Sequence, residues 1–153
     1  MQALKKRNSI KLILLSPTNE ILLIHVNNST ISSESNIRGT PSFWHMIGGQ
    51  IEDDENTEEA AYRELFEETG LAKNEVKIGQ IVWIGSVDLF IDDELVQVNQ
   101  QFALAYSSSK NITLKNLTEE EKQTVSHLKW FSMEELKNST DVIYPPNLYK
   151  YLS

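Results

Sequence analysis

Two short aliphatic runs open the chain, Ser9–Leu15 (SIKLILL) and Ile21–Val26 (ILLIHV), with the turn-forming cluster Ser16-Pro17-Thr18-Asn19-Glu20 between them. Apolar runs of that length around such a cluster predict a β-hairpin in a buried sheet. His25 falls at the end of the second run, where a lone histidine reads as structural. The polar stretch Asn27–Ser42 is long for a connection, and connections of that length are functional or disordered. From Thr57 onward the period changes. Ala60, Ala61, Leu65 and Phe66 fall at helical spacing, Asn56 or Thr57 suits the N-cap, and Asn56 with Glu59 forms a capping pair. Gly70 stands where a left-handed C-cap belongs. Two further strand regions follow, Glu75–Val87 and Val96–Ser107, around the acidic loop Asp92-Asp93-Glu94. Alternation in the second sets Val96, Val98, Gln100, Phe102 and Leu104 on one side. Near the end, Trp130-Phe131 predicts a short strand, Ser132 a cap for a helix from Met133, and Asp141–Leu152 a turn and a terminal helix packed through Tyr149 and Leu152.

Strands, helix, strands, helix in that order predict an α/β fold, a mixed sheet between helices, formed by residues 1–153 as a single domain. The 153 residues are 40% hydrophobic, enough for a sizeable core. There is no cysteine, which excludes disulfides and zinc–thiolate sites. The apolar run near the start is too short and broken for a signal peptide, and no stretch approaches the ~20 apolar residues of a membrane span. The expectation is a cytoplasmic protein without a membrane role. A formal net charge of −8 argues against general binding to a nucleic-acid backbone. It leaves a phosphorylated substrate open, because a bound metal inverts the local field.

The chemistry concentrates in Gly48–Leu71, GGQIEDDENTEEAAYRELFEETGL. Residues three and four apart share a helix face, so Glu64, Glu67 and Glu68 are expected to project as one carboxylate cluster. Like charges so placed repel by about 0.2–0.5 kcal/mol per exposed pair. A divalent cation would remove that cost, and a hard cation such as Mg²⁺ takes carboxylate and phosphate oxygens. The plain alternative is a solvated acidic face, which leaves the glycine pair, the lone Arg63 and the capped helix unexplained.

Gly49, five residues, Glu55, seven residues, then Arg63-Glu64-Leu65-Phe66-Glu67-Glu68-Thr69-Gly70-Leu71 resembles the complete Nudix box. All fixed positions are filled at the right spacing, over about a sixth of the chain. Upstream, Trp44, Gly48, Gly49 and Glu52 also match the family pattern, and Ile47 stands where proline is usual. The resemblance implies the Nudix fold and Mg²⁺-dependent hydrolysis of the diphosphate linkage in a nucleoside diphosphate joined to another moiety, with Mn²⁺ as a substitute. It implies Glu67 and Glu68 as principal metal ligands, Glu64 as ligand or general base, and the Gly49 carbonyl as a further ligand. Arg63 joins the catalytic group by ion-pairing a box glutamate, most plausibly Glu55. Arg38 becomes a candidate phosphate contact, and Trp44 and Phe102 candidates for stacking on a base. Trp83 and Phe90 are further aromatic candidates, with a core role as the alternative.

The general base is not fixed by the box; Asp92, Asp93, Glu94 and Glu120 are candidates, and Glu120 or Glu121 could reach the metal. Many relatives carry a ligand or base glutamate in the strand where this chain has Gln100 and Gln101. Neither the proline of ADP-ribose relatives nor the tyrosine of dinucleoside-polyphosphate relatives stands around Gly85-Ser86-Val87, and no coenzyme A signature is present. A small-molecule nucleotide is therefore expected as substrate, a nucleoside triphosphate or a nucleotide sugar. Two other classes stay open: a non-catalytic nucleotide-binding or regulatory module, and an acidic metal-binding domain with no nucleotide role. Homodimers are common in the family, and a homodimer is compatible with this chain.

Overall fold

The structure is a computed structural model and describes residues 5–27, 31–33, 42–91, 94–144 and 148–152. Arg38, Asp92, Asp93, the Pro145-Pro146 pair and most of the polar connection before Ser42 lie outside the described residues.

A single mixed sheet carries the molecule. Its strands are β1 (Lys5–Leu15), β2 (Ile21–Asn27), β3 (Ile31–Ser33), β4 (Ser42–Gln50), β5 (Val76–Ile91), β6 (Glu94–Ser107), β7 (Val125–Phe131) and β8 (Ile143–Tyr144). They are ordered β3-β5-β6-β1-β2-β4-β8, with β7 on β2 and a second pairing between β1 and β4. The helices are α1 (Thr57–Thr69), α2 (Glu119–Lys122), α3 (Met133–Asn138) and α4 (Leu148–Leu152).

The expected hairpin of the first two runs exists only at its mouth, where Leu15 pairs with Ile21. Beyond it the two strands part, and β4 bridges the gap. Residues Ser42–Met46 pair with β2, and Ile47–Gln50 pair with β1. The other side of β1 runs parallel to β6 over its whole length, from Lys5↔Val96 to Leu15↔Tyr106. β1 is therefore a central strand, which accounts for its near-continuous apolar stretch.

Its two faces feed two cores. Ile10, Leu12 and Leu14 pack with Ala60, Ala61 and Leu65 of α1, while Ile13 packs with Trp44, Met46, Phe102 and, from the short helices, Leu136 and Leu148. The sheet thus lies between α1 on one side and α3 with α4 on the other. Tyr149 and Leu152 pack on the second core as expected. Phe66 faces outward, 53% exposed, because the buried stripe of α1 runs through Ala60, Ala61, Glu64, Leu65 and Glu68. The strand expected at Trp130-Phe131 is longer, seven residues, because its whole length from Val125 pairs with β2. No helix among the described residues is long and apolar enough to cross a membrane.

Candidate metal and phosphate site

Local chemistry fixes both ends of α1. Asn56 Oδ1 accepts from Glu59 N–H at 2.8 Å and Glu59 Oε1 accepts from Asn56 N–H at 2.9 Å, so two orphan donors of the first turn are satisfied. Gly70, at φ 76°, closes the helix by donating to Phe66 O at 3.0 Å. The helix is thereby held with its acidic stripe against the Gly48-Gly49 pair near the end of β4, where both glycines pair with β1.

That stretch of strand needs both its glycines. Gly48 has φ 138°, and a Cβ there would stand 2.0 Å from Ile10 O. A Cβ on Gly49 would stand 2.6 Å from Glu64 Oε1. The absence of side chains lets two carboxylates of α1 come down onto the backbone. Glu68 Oε1 accepts from Gly48 N–H at 2.9 Å, and Glu64 lies over Gly49.

Arg63 knits the other carboxylates together. Its Nε and Nη2 donate to Glu55 at 2.6 and 2.9 Å, Nη2 also to Gln50 O at 2.9 Å, and Nη1 to Glu64 at 3.0 Å and Glu67 at 3.4 Å. The pairing with Glu55 holds that carboxyl below its ordinary range. Arg63 in turn is held protonated, above all by its bonds to Glu55. It therefore acts on the site through the carboxylates it positions.

The expected trio of Glu64, Glu67 and Glu68 is not the group that converges. Among the described residues, Glu64, Glu67 and Glu121 offer oxygens within 4.8 Å of one another. Glu121 comes from the one-turn helix α2, where Thr118 Oγ1 accepts from its N–H and its own Oε1 accepts from Thr118 N–H at 3.0 Å. Glu68 stands behind this trio, buried, with Gly48 as its partner. Glu120 is exposed and outside the cluster, and Glu94 pairs with Lys5 far along the sheet.

Burial raises these acids. It pushes Glu64 up to about 7 against the opposing pull of Arg63 and Lys11, and Glu68 well above the usual carboxylate range, with Glu64 adding repulsion. Glu67 is raised too, by burial and by Glu121. Crowded, partly desolvated oxygen donors of one sign fit a hard divalent cation, which would neutralise what Arg63 alone does not.

Lys11 was not singled out by the motif; its only signal in the sequence is a lone lysine inside SIKLILL. It lies on β1 opposite Gly48, with Nζ 3.5 Å from Gly48 O. Burial lowers its pKa, and Glu68 and Glu64 oppose that shift. With His45, Met46, Gln100, Phe102 and Tyr144 it lines a cavity of about 10 Å³, room for about one water. His45 Nδ1 shares a 2.7 Å hydrogen bond with Met46 O, and burial, aided by the Lys11 charge, pushes this imidazole down to about 3.

The aromatic candidates sit mainly in the second core. Trp44 is 8% exposed, edge-on to Phe131 at 5.0 Å, with its indole N–H on Asp141 Oδ2 at 3.3 Å. Phe102 is 3% exposed, stacked on Trp83 at 4.5 Å, and lines the small cavity. Strand alternation turns both to the face away from α1, the face from which Lys11 lines the same small cavity as Phe102. His25 is structural, sharing a 2.6 Å hydrogen bond with Ser126 Oγ.

A family model described as the NUDIX domain matches residues 5–152. Over 35 residues the chain is 54% identical to the RNA pyrophosphohydrolase of Aliivibrio fischeri (strain MJ11), a match covering 23% of this chain and only 21% of that protein. The structure is similar to a NUDIX hydrolase from Nitrosomonas europaea, with a TM-score of 0.63 at 16% identity over 97% of this chain and 86% of that one. It is likewise similar to the MutT protein from Methanosarcina mazei Go1, with a TM-score of 0.61 at 20% identity over 93% and 88% of the two chains. At these identities the likeness to solved structures is one of fold.

Proposed function

The chain belongs to the Nudix family, and we propose that it is a divalent-cation-dependent pyrophosphohydrolase acting on a nucleoside diphosphate linked to another moiety. The observation that carries this is the meeting of Glu64, Glu67 and Glu121 within 4.8 Å beside the Gly48-Gly49 pair of β4. An intact box in sequence would mean little if its acids pointed apart; here they converge, and a carboxylate from a distant helix joins them.

Glu64, Glu67 and Glu121 would hold Mg²⁺ or Mn²⁺, with Glu68 and the Gly49 carbonyl completing the donor set. A cation bound there neutralises charge on the phosphate oxygens and lowers the pKa of the attacking water. The protein's own part is positional. Arg63 holds Glu55, Glu64 and Glu67 in one geometry, and Glu68 ties α1 to β4 by accepting from Gly48 N–H. The substrate is a small nucleotide, a nucleoside triphosphate or a nucleotide sugar.

The test is a hydrolysis screen over (d)NTPs, nucleotide sugars, ADP-ribose, dinucleoside polyphosphates and an RNA with a 5′ polyphosphate end, with Mg²⁺ and with EDTA. The expected result is one substrate class well above the rest, dependent on the cation and abolished in Glu67→Gln and Glu68→Gln. A glutamine at 68 keeps an oxygen acceptor for Gly48 N–H, so that variant stays folded. Full turnover in both variants would sink the assignment of the site. Nucleotide binding without turnover would favour a regulatory module.

A further inference from the structure

Beyond a bound metal, a phosphate site built around carboxylates gains from a side-chain cation with donors left over, and Arg63 has none. A guanidinium carries five N–H groups. Glu55 takes two of the hydrogen bonds from Arg63, and Gln50 O, Glu64 and Glu67 take the other three. An incoming phosphate could engage Arg63 only by breaking the network that holds the acids.

Lys11 is in the opposite condition. An ammonium has three N–H groups, and the one hydrogen bond described for it is the long contact to Gly48 O at 3.5 Å. Glu68 and Glu64 lie close enough to pull on its charge, yet Lys11 forms an ion pair with neither among the described residues. A lysine serving only as counter-ion to Glu68 would be expected to pair with it, and Glu68 is instead bonded to Gly48 N–H. The Lys11 side chain lines the small cavity with Gln100 and Tyr144, on the strand that pairs with Gly48 and Gly49 of β4. Its neighbour there, His45, contributes no competing positive charge near neutrality.

We propose that Lys11 is a substrate-contacting residue, its ammonium binding a phosphate oxygen of the substrate beside the Glu64–Glu67–Glu121 cluster. The proposal rests on the reading of a diphosphate-bearing substrate. It assigns the two cations different work: Arg63 holds the carboxylates, and Lys11 meets the anion.

Inorganic pyrophosphate, titrated calorimetrically in the presence of Mg²⁺, is the probe. Lys11→Met is expected to weaken its binding about tenfold to a hundredfold, the range for one hydrogen bond to a charged group. Lys11→Arg is expected to stay within a few-fold of wild type, and Mn²⁺ affinity without pyrophosphate is expected not to weaken in Lys11→Met. With a turned-over nucleotide, the same loss appears in KM more than in kcat. Wild-type pyrophosphate affinity in Lys11→Met overturns the proposal, and so does wild-type protein that binds no pyrophosphate. Should Lys11→Met fail to fold, ¹⁵N-lysine wild type decides. A shift of the Lys11 ammonium signal on adding pyrophosphate supports the contact, and an unmoved signal while the α1 amides shift rejects it. Failure of the hydrolytic reading is separate, since it is read from turnover alone.

Discussion

Glu64 shows how much the surroundings of one carboxyl can matter. Its ordinary pKa of 4.5 rises to about 7, mainly through burial. Between those values the folded chain keeps a proton that the unfolded chain has lost, so stability falls as pH rises through that window. The shift corresponds to roughly 3 kcal/mol when complete. The raised Glu67 and Glu68 act in the same sense. His45, pushed down to about 3, acts in the opposite one, since only the unfolded chain takes up its proton below about 6.5. Comparison with Glu64→Gln isolates the glutamate. In EDTA, the melting temperature of wild type should fall relative to that of Glu64→Gln between pH 5 and 8, by several degrees. Mg²⁺ should narrow the gap. Parallel profiles in EDTA would show that Glu64 is not shifted. The sequence placed Glu64 on the right helix face, but its burial comes from the glycine pair of β4 that it covers, and its partner Glu121 comes from a helix far along the chain. Helical spacing reports on neighbours within one helix and is silent about both.

At the level of elements, α1 was the most legible part of the chain, because its boundaries are set by chemistry within a few residues of each end. Asn56, Glu59 and Gly70 hold the places expected of them. The cap positions a working surface as well as a helix, since the acidic stripe starts at Glu64, about two turns beyond Asn56. Asn56→Ala should therefore cost about 1 kcal/mol of stability, measurable by urea denaturation. The metal dependence of any turnover should persist, because Arg63 still ties Glu55, Glu64 and Glu67 together. An unchanged denaturation midpoint would mean that the capping bonds contribute nothing net. The strands were less legible. The pattern of β1 and β2 was right for strands, but a pairing at Leu15↔Ile21 followed by divergence depends on β4 and β6, which no local window contains. The long edge-to-edge pairing of β5 and β6 was readable as two strand regions because their alternation is local, whereas the burial of Trp44 and Phe102 depended on which face the short C-terminal helices would cover.

The whole molecule is organised about β1, which borders β6 on one side and shares β4 with β2 on the other. The fold class was readable from element order, while the centrality of the first strand was not, because its parallel partner lies 91 residues away, as between Asn8 and Asn99. Removing that partner should leave a chain with no central pairing. A fragment of residues 1–93, which ends before β6 begins at Glu94, should lack a cooperative thermal transition, whereas the full chain should show one; a cooperative melt in the fragment would mean that β1 and β4 suffice. The same pairing also sets a schedule for birth on the ribosome. At about 5–20 residues per second, β1 waits roughly 5–20 seconds for β6 to be made, holding an aliphatic strand with its neighbour missing. Until then the nascent chain is a client for whatever in the cell shields unpaired strands, and a strand made 91 residues ahead of its partner is among the later ones to find its place.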